Sequence, residues 1–309
     1  MECEKWSELA KKIHIESFEN QDVSVVNNSS LEMIGKGRQG AVFKIDEKLC
    51  MKVYGEVDDC DREHYAMSLG EHTSLLPKVH CKGENFIVMD MVYGVDLREY
   101  LQSQPLTKKL SQQLIQMLIT FKEIGYERID HHKRQIYLQD DGSLKVIDVG
   151  RTVWRNRTYP YPRKLLRSLG VENRSIFIQH VKEIAPHLYD EWEYYMKMEE
   201  VSKQLYGVLE SKTKVDKKRL KKDVNKLLTM KDTNLDYEGL VGLIHKVVKE
   251  QKERELIKQG FMNGEEQVKE HEQEQEPQSN VGKSVKIVYD KNSKNEVWRP
   301  KKKKEKKKK

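Results

Sequence analysis

Apolar positions at the start of the chain recur at three- and four-residue spacing. Trp6, Leu9, Ala10 and Ile13 predict a short amphipathic helix over 4–15. From Ser29 to Tyr54 the texture changes to short β-like runs split by glycines. "AVFKI" (41–45) and "LCMKVY" (49–54) flank the turn-like "DEK", which predicts a hairpin. "DDCDREHYAMSLGEH" (58–72) reads as a helix with acids in its first turn, where the helix dipole favours them. "LPKVH" and "NFIVMDMV" predict two further strands, and Asp96 before "LREYL" is placed as a helix N-cap. Residues 107–124 carry Leu110, Leu114, Met117, Leu118 and Phe121 on one stripe. Two short strands, "QIYL" and "LKVID", follow around the turn "QDDGS". After Gly150 the period is helical again, interrupted at Pro186. Residues 196–258 alternate charged and apolar positions, as two or three long helices would. From 262 the low-complexity polar sequence predicts a disordered tail, with "VKIVY" (285–289) as a marginal strand or short binding motif within it.

Composition adjusts this picture in two ways. The 309 residues suffice for one or two domains with a real core, yet 35% are charged and 37% hydrophobic, a polar balance that fits free helix or tail. The net charge of +7 is a property of the end: Arg299 and the terminal "KKKKEKKKK" supply more than all of it, leaving the remainder close to neutral. That run is a candidate for weak, sequence-independent contact with anionic lipid or nucleic acid. Cys3, Cys50, Cys60 and Cys81 form no CxxC pair and show no zinc-ligand spacing, so isolated reduced thiols are expected. The charged start "MECEKWSELAKK" predicts no secretory signal, and the lack of an 18-residue apolar run predicts no transmembrane segment. A cytoplasmic location follows as the expectation.

Chemistry-bearing residues fall in a fixed order. "IGKGRQGAV" (34–42) sets Gly35, Gly37 and Gly40 in a GxGxxG frame followed by Val42. A strand follows these glycines, where a dinucleotide fingerprint would have a helix. A glycine-rich hairpin lets backbone N–H groups approach phosphate oxygens. Lys52 lies on the next strand, placed to point a positive charge inward. Glu63 on the following helix can hold that ammonium. Asp130 and Asp148 stand 18 positions apart, the second just after an apolar strand-like run. His131 and His132 are adjacent and lack an evident third ligand, so no zinc site is expected.

Taken together this order resembles the protein kinase fold, and the chain looks like a divergent bacterial eukaryotic-like (Hanks-type) serine/threonine protein kinase with a compact C-lobe. The resemblance covers roughly residues 29–155. It implies an α+β, two-lobed fold with a small β-rich N-lobe and a reduced, mainly helical C-lobe. It implies a glycine loop at Gly35, Gly37, Gly40 and Val42, a phosphate-binding Lys52 paired with Glu63, and a hinge at "MDMVYG" whose Met89 to Met91 backbone would meet an adenine. Asp130 matches the catalytic-loop aspartate and Asp148, in "DVG", the metal-binding aspartate. Gln135 stands where the family places a metal-binding asparagine, and Lys133 lies next to the position of the catalytic-loop lysine, which is His132. The implied cofactors are ATP and Mg2+ or Mn2+, and the implied partner is a protein substrate phosphorylated on serine or threonine, this chain included.

Departures from the family pattern are specific. HRD reads "RID", with Arg128 and Ile129, so the arginine that receives activation-loop phosphate is missing. No APE triplet follows, and residues 160–195 are too few for a full set of C-lobe helices. In this the chain looks like the compact RIO and lipopolysaccharide-sugar kinase groups. Thr152, Thr158 and Tyr159 are candidate phosphosites. The expected organisation is an N-terminal helix (1–22), a kinase-like domain (23–195), a charged helical extension (196–260) and a disordered basic tail (261–309). Two alternatives stay open: a pseudokinase or nucleotide-binding scaffold, and a small-molecule kinase of the same fold.

Overall fold

The computed structural model describes residues 2–19, 21–154, 161–211, 246, 247 and 250. The chain divides into two units, Met1–Met262 and Asn263–Lys309, and every described residue belongs to the first. The tail, its polybasic end, "VKIVY", Thr158 and Tyr159 lie outside the described residues.

The chain begins with α1 (Glu2–Ala10), β1 (Ile13–Glu16) and β2 (Ser24–Asn27), the strands pairing antiparallel. The helix expected over 4–15 therefore stops at Ala10. Ile13 and Ile15 are β-branched and alternate with polar residues, so "IHIE" suits a half-buried strand better than a helix end. A sheet follows, formed by β3 (Glu32–Lys36), β4 (Gly40–Lys44), β5 (Leu49–Tyr54), then, after α2 (Val57–Leu69), β6 (Val79–Lys82) and β7 (Phe86–Asp90). Its spatial order is β3-β4-β5-β7-β6, antiparallel throughout.

Strand alternation divides the core. Met51 and Val53 of β5 point, with Ala41, Phe43, Phe86 and Val88, toward Trp6 and Ala10 of α1. Cys50 and Tyr54 point the other way, with Ile87 and Met89, into the larger cluster shared with the helices. Lys52 shares the second face by the same two-residue period. Cys3 of α1 and Cys81 of β6 form a disulfide, their Cα atoms 5.8 Å apart, which corrects the expectation that all four thiols are free. Their separation of 78 residues hid the pairing from a reading based on local spacing. Cys50 and Cys60 remain buried thiols.

The later half is mainly helical. β8 (Val95–Asp96) leads into α3 (Leu97–Ser103), where the Asp96 side chain accepts from the Glu99 N–H. Thr107 caps α4 (Lys108–Glu123) in the same manner through the Leu110 N–H. A 3-10 turn (Lys133–Gln135) precedes β9 (Ile136–Leu138), which sits between β10 (Leu144–Val146) and β8. A second 3-10 turn (Gly150–Thr152) comes before α5 (Arg163–Ser168), α6 (Val171–Ile184) and α7 (Pro186–Ser211). Pro186 starts α7 instead of kinking one long helix, because the first helical position needs no N–H donor.

The structure is thus mixed α/β, with a β-sheet region first and helices later. Of the expected boundaries, 22/23 lies in the loop between β1 and β2, and 195/196 falls within α7. Beyond α7, Val247 is buried, and Glu250 accepts from Arg163 Nη1 and Nη2 at 3.0 Å each. Arg163 also donates to Glu199 of α7, which takes the Tyr161 hydroxyl as well. Burial raises the Glu199 carboxyl, but Arg163 and Lys203 outweigh it and bring it down to about 2. No described helix is long and apolar enough to cross a membrane.

Candidate functional site

Lys52 and Glu63 meet because two local periods agree. Lys52 lies on the inward face of β5, opposite Val42 of β4 and Ile87 of β7. On α2, Cys60, Glu63 and Met67 form the buried stripe, so Glu63 points at the sheet instead of at solvent. Lys52 Nζ lies 2.8 Å from Glu63 Oε2 and 3.2 Å from Asp148 Oδ1, joining residues 96 positions apart. The ammonium also stands 5.1 Å from the Tyr54 ring centroid. Burial alone would lower the Lys52 pKa, but Glu63 and Asp148 outweigh it and hold the ammonium charged. Burial pushes the Glu63 carboxyl up, with Lys52 opposing. The Asp148 carboxyl lies well below the usual range, chiefly because of Lys52.

Asp148 adopts φ 61°, in the left-handed region, which is uncommon for a residue other than glycine and turns the chain sharply after β10. Close packing follows. A Cβ on Gly150 would meet Glu63 Cβ at 3.1 Å and Oε2 at 3.2 Å, so the glycine of "DVG" lets this segment lie against α2. Trp154 then stacks on Tyr65 of α2 at 5.2 Å between centroids, and the Tyr126 hydroxyl donates to the Ala66 carbonyl at 2.7 Å. These contacts hold α2, and with it Glu63, against the rest of the site.

Gln135 belongs to the same constellation through its nitrogen. Its Nε2 donates to Asp148 Oδ2 at 2.9 Å, while Oε1 accepts from the His132 N–H at 2.9 Å. His132 caps the 3-10 turn, Nδ1 accepting from the Arg134 N–H. Burial and the cations of Arg134, Lys164 and Lys133 lower its pKa to about 3, so the ring stays neutral and keeps this acceptor. His131 packs on Phe121 with centroids 5.0 Å apart, its pKa lowered to about 3 by burial and then by Arg128.

Asp130 is held differently. Its Oδ1 accepts backbone N–H groups from Lys164 and, at 3.0 Å, from Leu165, so the carboxylate caps α5. Oδ2 has Arg128 Nη2 at 3.5 Å, and the side chain is 9% exposed. Lys133 sits in the turn beyond, with its N–H donating to Ser168 Oγ at 3.2 Å. The capping of Asp130 escaped sequence reasoning because backbone donors 34 and 35 residues away carry no residue-type signature.

The remaining expected positions are spread around this centre. In the glycine hairpin, Gly40 is fixed by packing, since a Cβ there would strike the Val53 carbonyl oxygen at 2.1 Å. Gly35 and Gly37 face open space, and the Gly37 N–H already donates to the Gly40 carbonyl. Val42 is half-buried against the helical core cluster, and Met89 is buried in it. The Met91 N–H donates to the Lys48 carbonyl at 2.7 Å, so the backbone donor expected to face an adenine is already engaged there. Thr152 is no surface phosphosite: it is buried and its hydroxyl donates to the Val149 carbonyl.

Among the described residues no three His, Cys, Asp or Glu side chains gather as a metal cage. Asp148 accepts one donor on each oxygen, which leaves lone pairs for a hard cation. That donor set suits an ion such as Mg2+, which takes one or two carboxylates and completes its shell with phosphate oxygens and water.

No family model matches the sequence. A stretch of 136 residues is 26% identical to "Putative serine/threonine-protein kinase YrzF" of Bacillus subtilis (strain 168), covering 40% of this chain and 60% of that protein. Another of 74 residues is 35% identical to an uncharacterised protein of Dictyostelium discoideum, covering 24% of this chain and 8% of that protein. Both matches span less than two thirds of the relative's length. The crystal structure of monomeric WbdD aligns with a TM-score of 0.35 and 15% identity, over 59% of this chain and 51% of that one. The kinase-named relative suggests a kinase-like function at most.

Proposed function

We propose that the chain is an ATP-dependent protein kinase that transfers the γ-phosphate to serine or threonine, on a two-lobed kinase-like fold with a reduced C-lobe. The observation that carries this reading is the ion-paired chain Glu63–Lys52–Asp148, assembled from a strand, a helix and a loop far apart in sequence. Lys52 would bind phosphate oxygens and stabilise charge on the transferred group, with Glu63 holding the ammonium in place. Asp130 would accept the proton of the acceptor hydroxyl while its oxygen bonds to the γ-phosphorus and the bond to the β–γ bridging oxygen breaks, releasing ADP. Asp148 would hold a divalent cation, Mg2+ or Mn2+, whose chemistry is neutralisation of phosphate charge.

The test is transfer of labelled γ-phosphate to the chain itself or to a test protein, with Mg2+ or Mn2+ present. Lys52→Ala and Asp148→Asn should each reduce labelling by about a thousandfold. Labelling that survives both substitutions would sink the assignment.

A second reading is favoured by the state of Asp130. Its carboxylate caps α5 and is nearly enclosed, as a structural residue in a pseudokinase scaffold would be. That reading predicts nucleotide binding without turnover, and Asp130-dependent phosphate release would remove it.

A further inference from the structure

The Gln135 amide is fixed at both ends. Its oxygen accepts from the His132 N–H and its nitrogen donates to Asp148 Oδ2, each at 2.9 Å. Turned over, the amide would set donor against donor at His132 and acceptor against carboxylate at Asp148, and both bonds would be lost together. The main chain reinforces the arrangement. Ile136 pairs with Val146 across the β9–β10 ladder, and the Ile147 N–H donates to the Gln135 carbonyl at 3.0 Å, which keeps Gln135 beside Asp148. Gln135 therefore shows Asp148 the atom that cannot bind a metal, while its carbonyl oxygen is spent on the cap of the 3-10 turn.

The other acids near the site are also committed. Glu63 is turned to Lys52, and Asp130 to the first turn of α5. We propose that Gln135 is a positioning residue that aims the Asp148 carboxylate, and that Asp148 is the only side-chain ligand for a single divalent cation that arrives with a nucleoside triphosphate. This rests on the nucleotide reading above, and it departs from the metal-ligand role that the family resemblance implies for Gln135.

The experiment is a count of Mn2+ bound to the full chain by electron paramagnetic resonance, with saturating non-hydrolysable ATP analogue. One Mn2+ per chain is expected for the unaltered protein. Gln135→Ala should still bind one, about tenfold more weakly, as loss of an orienting partner does at other metal sites. Gln135→Glu keeps an oxygen for the His132 N–H and adds a carboxylate beside Asp148, so a second Mn2+ should enter. Two cations on the unaltered chain falling to one in Gln135→Ala would make Gln135 a ligand and overturn the proposal, while leaving the kinase reading intact. Unchanged Mn2+ affinity in Gln135→Ala would also overturn it. Absence of nucleotide-dependent Mn2+ binding in every variant would overturn the nucleotide reading and this inference together.

Discussion

Lys52 and Asp130 are both charged and nearly enclosed, with side chains 12% and 9% exposed, yet they are held in different ways. Lys52 is surrounded by opposite charges, Glu63 and Asp148, brought in from separate elements. Asp130 is surrounded mainly by backbone, the amides of Lys164 and Leu165, with Arg128 at its edge. A well-packed apolar group would fill the place of the Lys52 cluster without the desolvation cost of buried charge, so the buried ion-pair chain marks a candidate functional site. The Asp130 arrangement has a structural task, since it completes the first turn of a helix. The Lys52 cluster thus ties a strand, a helix and a loop together through charge, whereas the Asp130 carboxylate faces the first turn of α5.

The sharpest way to separate the two roles of Asp130 is a pair of substitutions. Asp130→Asn keeps an oxygen for the α5 amides but cannot take up a proton. It should leave the melting temperature nearly unchanged and lower phosphoryl transfer by about a hundredfold to ten-thousandfold. Asp130→Ala should lose the same activity and also about 1 kcal/mol of stability, as other lost N-caps do. Equal transfer by Asp130→Asn and the unaltered chain would mean that the residue serves α5 alone.

On the opposite side, Gly150→Ala pushes a methyl group onto Glu63. Destabilisation of about 1–3 kcal/mol in urea unfolding is expected, with weaker nucleotide binding as α2 moves away from Lys52. If stability and binding both stay the same, the close packing of "DVG" on α2 does not hold the ion pair in place.

The smallest expected effect concerns His131. Its folded pKa is about 3 against an ordinary 6.5, so the folded chain refuses a proton that the unfolded chain accepts. Its contribution is fully present above pH 6.5 and is lost as pH falls toward 3, which amounts to at most about 2 kcal/mol at pH 5. His131→Leu, packed on Phe121 in its place, should flatten the fall in urea midpoint between pH 7 and 5. A slope that is unchanged would place the acid sensitivity elsewhere.

What was legible in the sequence follows from the range of each interaction. The hairpin of β4 and β5, the Asp96 cap and the stripe of α4 are written in local period and turn chemistry. Lys52 could be placed inward by the two-residue period of its strand, and Glu63 beside it by lying on the helix that follows. The Asp130–α5 contact, the orientation of the Gln135 amide and the Cys3–Cys81 bond could not be read. They depend on which atoms meet once distant segments pack, and residue type does not encode that. The start of the chain misled for a related reason: Trp6, Leu9, Ala10 and Ile13 satisfy a helical period, but Ile13 and Ile15 find a better partner in β2.

The ion cluster of Arg163, Glu199 and Glu250 has a practical bearing on how small the protein can be made. Arg163 is 3% exposed and draws two of its carboxylate partners from the helical residues after 195. A truncation series should therefore show a sharp threshold instead of a gradual decline. Versions that end after α7 but before Glu250 would leave the buried Arg163 guanidinium with Glu199 and without its second carboxylate, and would uncover the space filled by Val247. Of the stretch expected as an extension, Val247 is buried and Glu199 and Glu250 both pair with Arg163, so these described residues are part of the domain's packing.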